Sequence, residues 1–202
     1  MQTLLFEVQP KPGHEDHYFQ HAAKLKPILA KHEGLLFLDR YRSLENPNVI
    51  LSHSRWKDEA AIARWRTDPV HHNSQMAGRN KHFQDYRIRI SQALTHTHKE
   101  AGINQFQNSN GYRCQSDEEA NFLAIILTTE NTFEHGKSFH SVNNPGTYLS
   151  IVEAETLEGA NNIIRTAKAY PNFSEALTNR VSRDYTLFKR ADAPQYMPEV
   201  TG

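Results

Sequence analysis

A turn and strand pattern that occurs in both halves of the chain constrains its fold more than any other feature. The segment Asn46-Pro-Asn-Val-Ile-Leu-Ser52 returns as Asn144-Pro-Gly-Thr-Tyr-Leu-Ser150, and Asp85-Tyr86 returns as Asp184-Tyr185. The two offsets are 98 and 99 residues. Matches that keep an almost constant offset indicate a tandem duplication, in which each copy is built on the same supersecondary unit.

The first copy has the pattern of a β-α-β-β-α-β unit. A helix that contains Pro27 is predicted from about Glu15 to Glu33, and Asp58 and Asp68-Pro69 are start signals for two shorter helices. Strands are predicted where apolar, β-branched and aromatic residues cluster between turn signals, at residues 4–9, 35–42, 49–56 and 83–90. This order predicts an α+β fold of the ferredoxin-like type, an antiparallel sheet with helices on one face.

The second copy is shorter than the first. Phe122–Thr128 is an apolar segment of strand length, but too few residues separate it from Asn144 for a complete first helix and second strand. Residues 96–120 are polar and aperiodic, and we interpret them as a linker. The predicted organisation is a first domain at 1–95, the linker at 96–120 and a degenerate second ferredoxin-like copy at 121–202.

The charge balance and the lengths of the apolar segments limit the kinds of partner that this protein is expected to bind. The chain has 23 Lys and Arg residues and 23 Asp and Glu residues, so no net field favours nucleic acid or an anionic membrane. No apolar segment approaches the roughly 20 residues that cross a bilayer, and the start of the chain lacks a signal-peptide pattern. We therefore expect a cytoplasmic protein without nucleic-acid or membrane partners. The lone cysteine, Cys114, excludes an intrachain disulfide.

Several short motifs of the first copy point to one family. They are S-x-W-x-D-E-A-A-x-x-x-W-R from Ser54 to Arg66, D-P-x-H from Asp68 to His71, Gly78-Arg79, and D-Y-R-I-R-I from Asp85 to Ile90. Together with the segment Gly34–Ser43, they resemble the antibiotic biosynthesis monooxygenase domain over about the first 95 residues. The ending of the chain also looks like that of two-domain relatives.

The resemblance implies a fold, a place for the site and a type of reaction. Members form dimeric α/β-barrels, so this chain is expected to form a pseudo-dimer within itself or a homodimer. Their cavity lies between the sheet and its helices, and quinol-type members oxidise aromatic polyketides or quinols with O2, using neither metal nor organic cofactor. An apolar cavity with a few donors or cations would stabilise the substrate phenolate for reaction with oxygen.

The same resemblance selects five site residues. Trp65 and His71 are the candidate catalytic residues, since Trp65 occupies the position of a cavity tryptophan and His71 that of the D-P-x-H histidine. Arg55, His72 and Tyr86 are candidate substrate-binding residues. Each has a purely structural alternative: a core aromatic for Trp65, a capping or packing histidine for His71, a surface ion pair for Arg55, a solvent-facing side chain for His72 and a packed sheet aromatic for Tyr86.

Two other functions remain open from the sequence. Haem-degrading relatives hold iron through a histidine on the helix that contains His71, about three turns past the tryptophan, where this chain has Gln75. A non-catalytic barrel that binds a small ligand or a partner protein is the second alternative.

Two histidine clusters have spacings that could bind a metal. His14, His17 and His21 have nearly helical spacing that could seat zinc or nickel, but a third ligand on one face is missing and a solvated helix start is the simpler interpretation. His96 and His98 would share a strand face, and a solvated face is again the simpler interpretation.

Overall fold

The computed structural model describes residues 1–106 and 121–193, which form nine strands and four α-helices. The α-helices are α1 (Glu15–Leu29), α2 (Glu59–Thr67), α3 (Pro69–Ala77) and α4 (Leu157–Ala167), and a π-helical turn follows α3 at Gly78–His82. The strands are β1 (Gln2–Pro10), β2 (Leu35–Ser43), β3 (Ile50–Trp56), β4 (Phe83–His98), β5 (Gly102–Gln105), β6 (Phe122–Thr129), β7 (Lys137–Ser141), β8 (Thr147–Ala154) and β9 (Phe173–Thr186).

Eight of these strands close into one antiparallel barrel. Their order is β1-β3-β2-β7-β8-β6-β9-β4, and β4 also pairs with β1, which joins the ends of the sheet. Each half contributes four adjacent strands in the ferredoxin-like arrangement. The barrel predicted from the family resemblance therefore closes within a single chain.

The two junctions between the halves differ in length. β4 pairs with β9 from Arg87 to His98, whereas β2 pairs with β7 only over Tyr41–Ser43. Side-chain hydrogen bonds strengthen the short junction, because the Asp39 carboxylate accepts from Ser141 Oγ at 2.8 Å and from Asn143 Nδ2 at 2.7 Å. At both junctions, equivalent strands of the two halves lie side by side.

Apolar side chains fill both faces of the sheet. The interior of the barrel is a core drawn from both halves, whose largest members include Tyr41, Leu51, Leu123, Phe139 and Leu177. Outside the barrel, α4 covers one apolar cluster of the second half, and α1 to α3 cover the outer face of the first half. Because successive side chains along a strand point to opposite faces, each strand contributes side chains both to the interior of the barrel and to its outer surface.

The two halves share local hydrogen bonds at an offset of 98 residues. Ser43 Oγ accepts from the Asn46 N–H, and Ser141 Oγ accepts from the Asn144 N–H. The helix that follows is capped in the same way, by Asp58 in the first half and by Thr156 in the second. The second half lacks a helix between β6 and β7. The duplication stays a prediction, and these matched turns and caps support it.

The predicted linker is ordered in its first part. Residues 96–98 continue β4, and β5 pairs back onto it through Thr95–Gln105 and His98–Gly102. Thr97, a β-branched residue in this polar stretch, is buried, which explains why a strand continues where composition predicted a linker. Residues 107–120 and Cys114 lie outside the described residues.

None of the helices in residues 1–106 and 121–193 has both the length and the apolar character needed to cross a membrane.

Candidate functional site

A cavity of about 200 Å³ lies between the outer face of the first-half strands β1 to β4 and the helices α1 to α3. Strands β1 to β4 supply its floor, and the helices and the π-helical turn supply its roof. This is the position that the family resemblance predicted. Its apolar and aromatic wall includes Leu4, Phe6, Leu25, Leu29, Leu38, Trp56, Ile62, Trp65, Phe83, Ile88 and Ile90.

The alternation of β3 decides which of its side chains reach the cavity. Ser52, Ser54 and Trp56 line it, whereas His53 and Arg55 point into the barrel. The Trp56 indole Nε1–H donates to Ser54 Oγ at 2.8 Å, which fixes the ring against the floor. Trp56 thus forms part of the cavity wall.

Trp65 and His71 form a stacked pair in the roof. Trp65 is on the buried face of α2, and the ring of His71, from the first turn of α3, lies 4.0 Å from the indole at an interplanar angle of 13°. Asp68 sets this geometry, because its carboxylate caps α3 by accepting from the Val70 and His71 N–H groups. The two predicted catalytic residues therefore lie side by side at the cavity.

The hydrogen bonds of His71 assign its tautomer. Its Nδ1 lies 2.8 Å from the Trp65 carbonyl oxygen, which only accepts, so Nδ1 carries the hydrogen and Nε2 is the acceptor. The amide nitrogen of Gln75 is 3.0 Å from Nδ1 and 3.3 Å from Nε2, and of these two atoms only Nε2 can accept its hydrogen bond. Burial lowers the pKa of His71 to about 4, against the smaller opposing effect of the Trp65 carbonyl. His71 is therefore neutral at physiological pH and is a weak base.

One side-chain atom of Gln75 has no hydrogen-bond partner among the described residues. Its side-chain oxygen Oε1 is buried and accepts no hydrogen bond from the described residues. A buried acceptor without a donor costs about 1–3 kcal/mol. A ligand hydroxyl in the cavity would remove this cost, and we count Gln75 among the candidate binding residues that the sequence did not select.

The charged side chains that line the cavity are arginines, so among the described residues its charged lining is positive. Four arginines reach it from different elements, and no aspartate or glutamate is among the described residues that line it. Arg40 of β2 also interacts with Tyr18 of α1, where burial raises the pKa of the Tyr18 hydroxyl and the Arg40 guanidinium opposes this. The four residues are Arg40, Arg66, Arg79 and Arg190. An apolar cavity with only cations in its charged lining favours an anionic ligand.

The second half of the chain completes this cavity. Tyr185 at the end of β9 and Arg190 beyond it both line it. Arg190 Nη1 donates to the hydroxyl of Tyr86 at 2.7 Å, which joins the C-terminal segment to the cavity floor on β4. Tyr86, predicted to bind substrate, thus lies in the cavity wall with its hydroxyl already held by an arginine.

Arg55 and His72 do not line the cavity. Arg55 lies inside the barrel, where its guanidinium binds both oxygens of Glu175 at 2.9 and 3.1 Å and stacks 3.9 Å from the ring centroid of Phe37. The sequence could not place Arg55 because the alternation of β3 is imperfect, and the face it occupies depends on the strand register. His72 follows His71 by about 100° around α3, which turns it away from the cavity.

The sequence missed most of the polar lining. Arg40 lies in the segment Gly34–Ser43, and Arg190 lies in the ending that resembles two-domain relatives, but neither resemblance selected these arginines as site residues. Arg66 and Arg79 stood within the family motifs, directly after Trp65 and Gly78, and this position next to cavity residues was the available signal.

Comparisons with known proteins find similarity over the first part of the chain. Residues 1–77 match the family model described as antibiotic biosynthesis monooxygenase. The jasmonate monooxygenase ABM of Pyricularia oryzae is 41% identical over 92 residues, which are 46% of this chain and 43% of that protein. The match thus spans less than half the length of this curated relative.

Solved structures show weaker similarity. PA3566 from Pseudomonas aeruginosa has 18% sequence identity and a TM-score of 0.40, with 44% of this chain and 89% of that chain covered. An anthrone oxidase-like protein has 8% identity and a TM-score of 0.44, with 96% of each chain covered. These two similarities are too low to add to the assignment. Residues 1–77, which supply β1 to β3 and α1 to α3 around the cavity, are thus the part of the chain that is similar to the antibiotic biosynthesis monooxygenase family.

Proposed function

We propose that this chain is a monooxygenase that uses O2 to oxidise a small aromatic or quinol substrate, bound as its anion in the cavity of the first half. The observation that carries the proposal is the lining: an apolar, aromatic wall with four arginines and no described carboxylate. Such a cavity lowers the free energy of a phenolate relative to the neutral phenol. A phenolate is the electron-rich form that reacts with oxygen.

The residues around the cavity have separate tasks in this proposal. The guanidinium groups of Arg40 and Arg190 stabilise the anionic oxygen, and Gln75 Oε1 accepts a hydrogen bond from a second hydroxyl of the substrate. The stacked rings of Trp65 and His71 form a flat apolar surface for the aromatic ring. Because its pKa is about 4, His71 positions the substrate as a neutral group and does not remove its proton.

The reaction balances without a further reductant. A quinol and one O2 give a hydroxyquinone and one water: one oxygen atom enters a new C–O bond, and the other leaves as water with two hydrogens from the substrate. The substrate supplies all the electrons that O2 accepts. This is the basis for proposing independence from metal and organic cofactors.

Oxygen consumption by chelator-treated protein tests the proposal. We expect one O2 consumed per quinol, and 18O2 should place one labelled atom in the product. Arg190→Ala should lower kcat/KM about 10- to 100-fold, the effect of losing a charged hydrogen bond worth about 1.5–3 kcal/mol. Arg165→Ala is the matched control, because Arg165 is exposed on α4, where it bonds Asn162, and is not among the residues that line the cavity.

The comparison with Trp65→Phe separates catalysis at this site from oxidation in solution. If Trp65→Phe and Arg190→Ala both consume oxygen at the wild-type rate, the cavity is not the site of oxidation. If the wild-type protein consumes none with any quinol or anthrone tested, the proposed reaction is wrong and the non-catalytic binding module takes its place.

The cavity fits haem poorly. An axial histidine needs a free nitrogen that faces an open slot, whereas the His71 ring is stacked face to face on Trp65 and its Nε2 is contacted by Gln75. The volume of about 200 Å³ is also below the roughly 300–1,000 Å³ of common ligand pockets, and a haem needs a large planar slot. Haem is therefore not part of the proposed reaction.

A small alicyclic carboxylate is the second candidate substrate, and its monooxygenation would need a two-electron reductant in addition to O2, because this substrate does not supply the electrons that a quinol does. The relative from Pyricularia oryzae is named a jasmonate monooxygenase, and the arginines of this cavity would bind a carboxylate as well as a phenolate. Binding of jasmonate and of a quinol, measured in parallel by quenching of tryptophan fluorescence, decides between them. Tighter binding of the quinol supports the first proposal, and tighter binding of jasmonate supports the second.

A further inference from the structure

Three histidines from two distant parts of the sequence meet at the edge of the cavity. His14 and His17 belong to the start of α1, and His82 ends the π-helical turn before β4. Their ring nitrogens lie within 4.8 Å of one another. The rings of His17 and His82 are stacked with centroids 4.5 Å apart, and His14 Nδ1 is 2.9 Å from His82 Nδ1. His82 supplies the third ligand that α1 lacked when judged from the sequence alone.

The backbone holds these histidines together without help from the imidazoles. The Lys11 N–H donates to the His82 carbonyl at 2.9 Å, and the His14 N–H donates to the Lys11 carbonyl at 2.9 Å. His14 is the N-cap residue of α1, but its side chain makes no capping hydrogen bond, so the ring is available to a ligand. The π-helical turn re-aims His82 in a manner often found at functional sites.

The chemistry of the donor set selects a class of ion. Neutral imidazole is a ligand for zinc, copper, nickel and cobalt, and tetrahedral zinc with Zn–N bonds of about 2.0–2.1 Å places its nitrogens roughly 3.3 Å apart. Small side-chain rotations would bring the three nitrogens to this separation. Three protein ligands leave a fourth position open to water or to an anionic ligand.

We propose that His14, His17 and His82 form a binding site for one divalent transition-metal ion at the mouth of the cavity. His17 and His82 are also cavity-lining residues, so the ion would join α1 to the start of β4 across the cavity edge. The site goes beyond the proposed oxidation and does not depend on it. Its expected effect is to restrain the movement of α1 away from the sheet.

A second group of possible ligands lies inside the barrel and provides a control. His96, His98 and Glu175 also bring their ligand atoms within 4.8 Å, but both oxygens of Glu175 are already bound by the Arg55 guanidinium. A divalent ion there would lie next to a fixed positive charge, which disfavours binding. A substitution of His98 therefore removes a histidine of a similar cluster without affecting the proposed site.

Cobalt titration of the full chain, prepared without a polyhistidine tag and stripped of metal by a chelator, tests the proposal. We expect one Co2+ per chain, with the visible absorption bands of a tetrahedral nitrogen-ligated ion that Zn2+ abolishes by competition. His82→Ala and His17→Ala should each weaken binding by more than the roughly 100-fold that removing a mere hydrogen-bond partner of a ligand can cost. His98→Ala should bind Co2+ like the wild type.

Three results would overturn the site: no cobalt bands in the wild type, unchanged binding in His82→Ala, or loss of binding in His98→Ala instead. His82→Gln serves as a second variant if His82→Ala fails to fold, which circular dichroism reveals. The readout is binding, so it is independent of whether the protein oxidises quinols.

Discussion

At the scale of single residues, the function of the cavity depends on a few side chains whose neighbours fix their state. Trp65 and His71 stack because the cap at Asp68 turns α3 back toward α2. The sequence predicted both residues from the D-P-x-H motif and the tryptophan spacing. It could not predict that His71 would be neutral, because the pKa depends on burial by residues far away in the sequence.

Titration of His71 is the first prediction. Its folded pKa of about 4 lies below the usual 6.5, so the unfolded chain binds more protons between these values. The contribution of His71 to the free energy of unfolding is therefore fully present above pH 6.5 and is lost as the pH falls toward 4. NMR of the histidine Cε1–H groups, with His71→Gln to identify the signal, should give a midpoint near 4. A midpoint near 6.5 would contradict the burial of this ring.

At the scale of elements, the starts of helices were the most predictable features. Pro69–Ala77 forms the helix that the Asp-Pro signal predicted, with Asp68 as its cap, because capping depends on residues adjacent in sequence. The far end of β4 was missed, since it pairs with β9, whose residues are about 80 positions away, and β5 pairs with this same end of β4. The face of the sheet on which Arg55 lies could not be predicted for the same reason.

Removal of the Asp68 cap is the second prediction. Asp68→Ala should lower the free energy of unfolding by about 1 kcal/mol and also loosen the His71 ring, since the carboxylate binds the His71 N–H. Asp68→Asn retains a capping oxygen, so its free energy of unfolding should stay within a few tenths of a kcal/mol of the wild-type value. Urea unfolding of both variants is the measurement, and equal losses in the two variants would show that charge matters here and capping does not.

At the scale of the whole molecule, the two halves are joined across the interior by charged residues. Arg55 of β3 and Glu175 of β9 form a buried bidentate pair, and His96 of β4 binds the same carboxylate at 2.6 Å. Burial alone would raise the pKa of Glu175, but the hydrogen bonds from His96 and Arg55 outweigh it and lower the pKa to about 2. The sequence did not show this pair, and it left open whether the barrel closes within one chain or between two, because both depend on contacts between the halves.

Loss of this pair is the third prediction. Glu175→Gln leaves the Arg55 charge buried without its partner and should destabilise the protein by about 3–5 kcal/mol. Glu15→Gln is the matched control, because its side chain is 39% exposed and its pair with Arg42 is at the surface. Thermal unfolding of both variants gives the comparison, and similar losses in the two would contradict an interior role for Glu175.

The same pair predicts a pH dependence. The pKa of Glu175 is lower in the folded than in the unfolded state, so its contribution to stability is present above the ordinary pKa of 4.5 and is lost as the pH falls from 4.5 toward 2. Unfolding by urea across this range should show a smaller slope against pH in Glu175→Gln than in the wild type. Identical slopes would show that the carboxylate is not ionised by its partners.

The ionisation state of a bound phenol tests the central claim of a cavity that stabilises substrate anions. A quinol would be titrated into the protein without oxygen, and the absorption of phenol and phenolate recorded from pH 6 to 10. We predict that binding lowers the pKa of the phenol below its value in solution, and that Arg190→Ala reverses much of the shift while Arg165→Ala does not. A bound phenol with an unchanged or raised pKa would contradict the account.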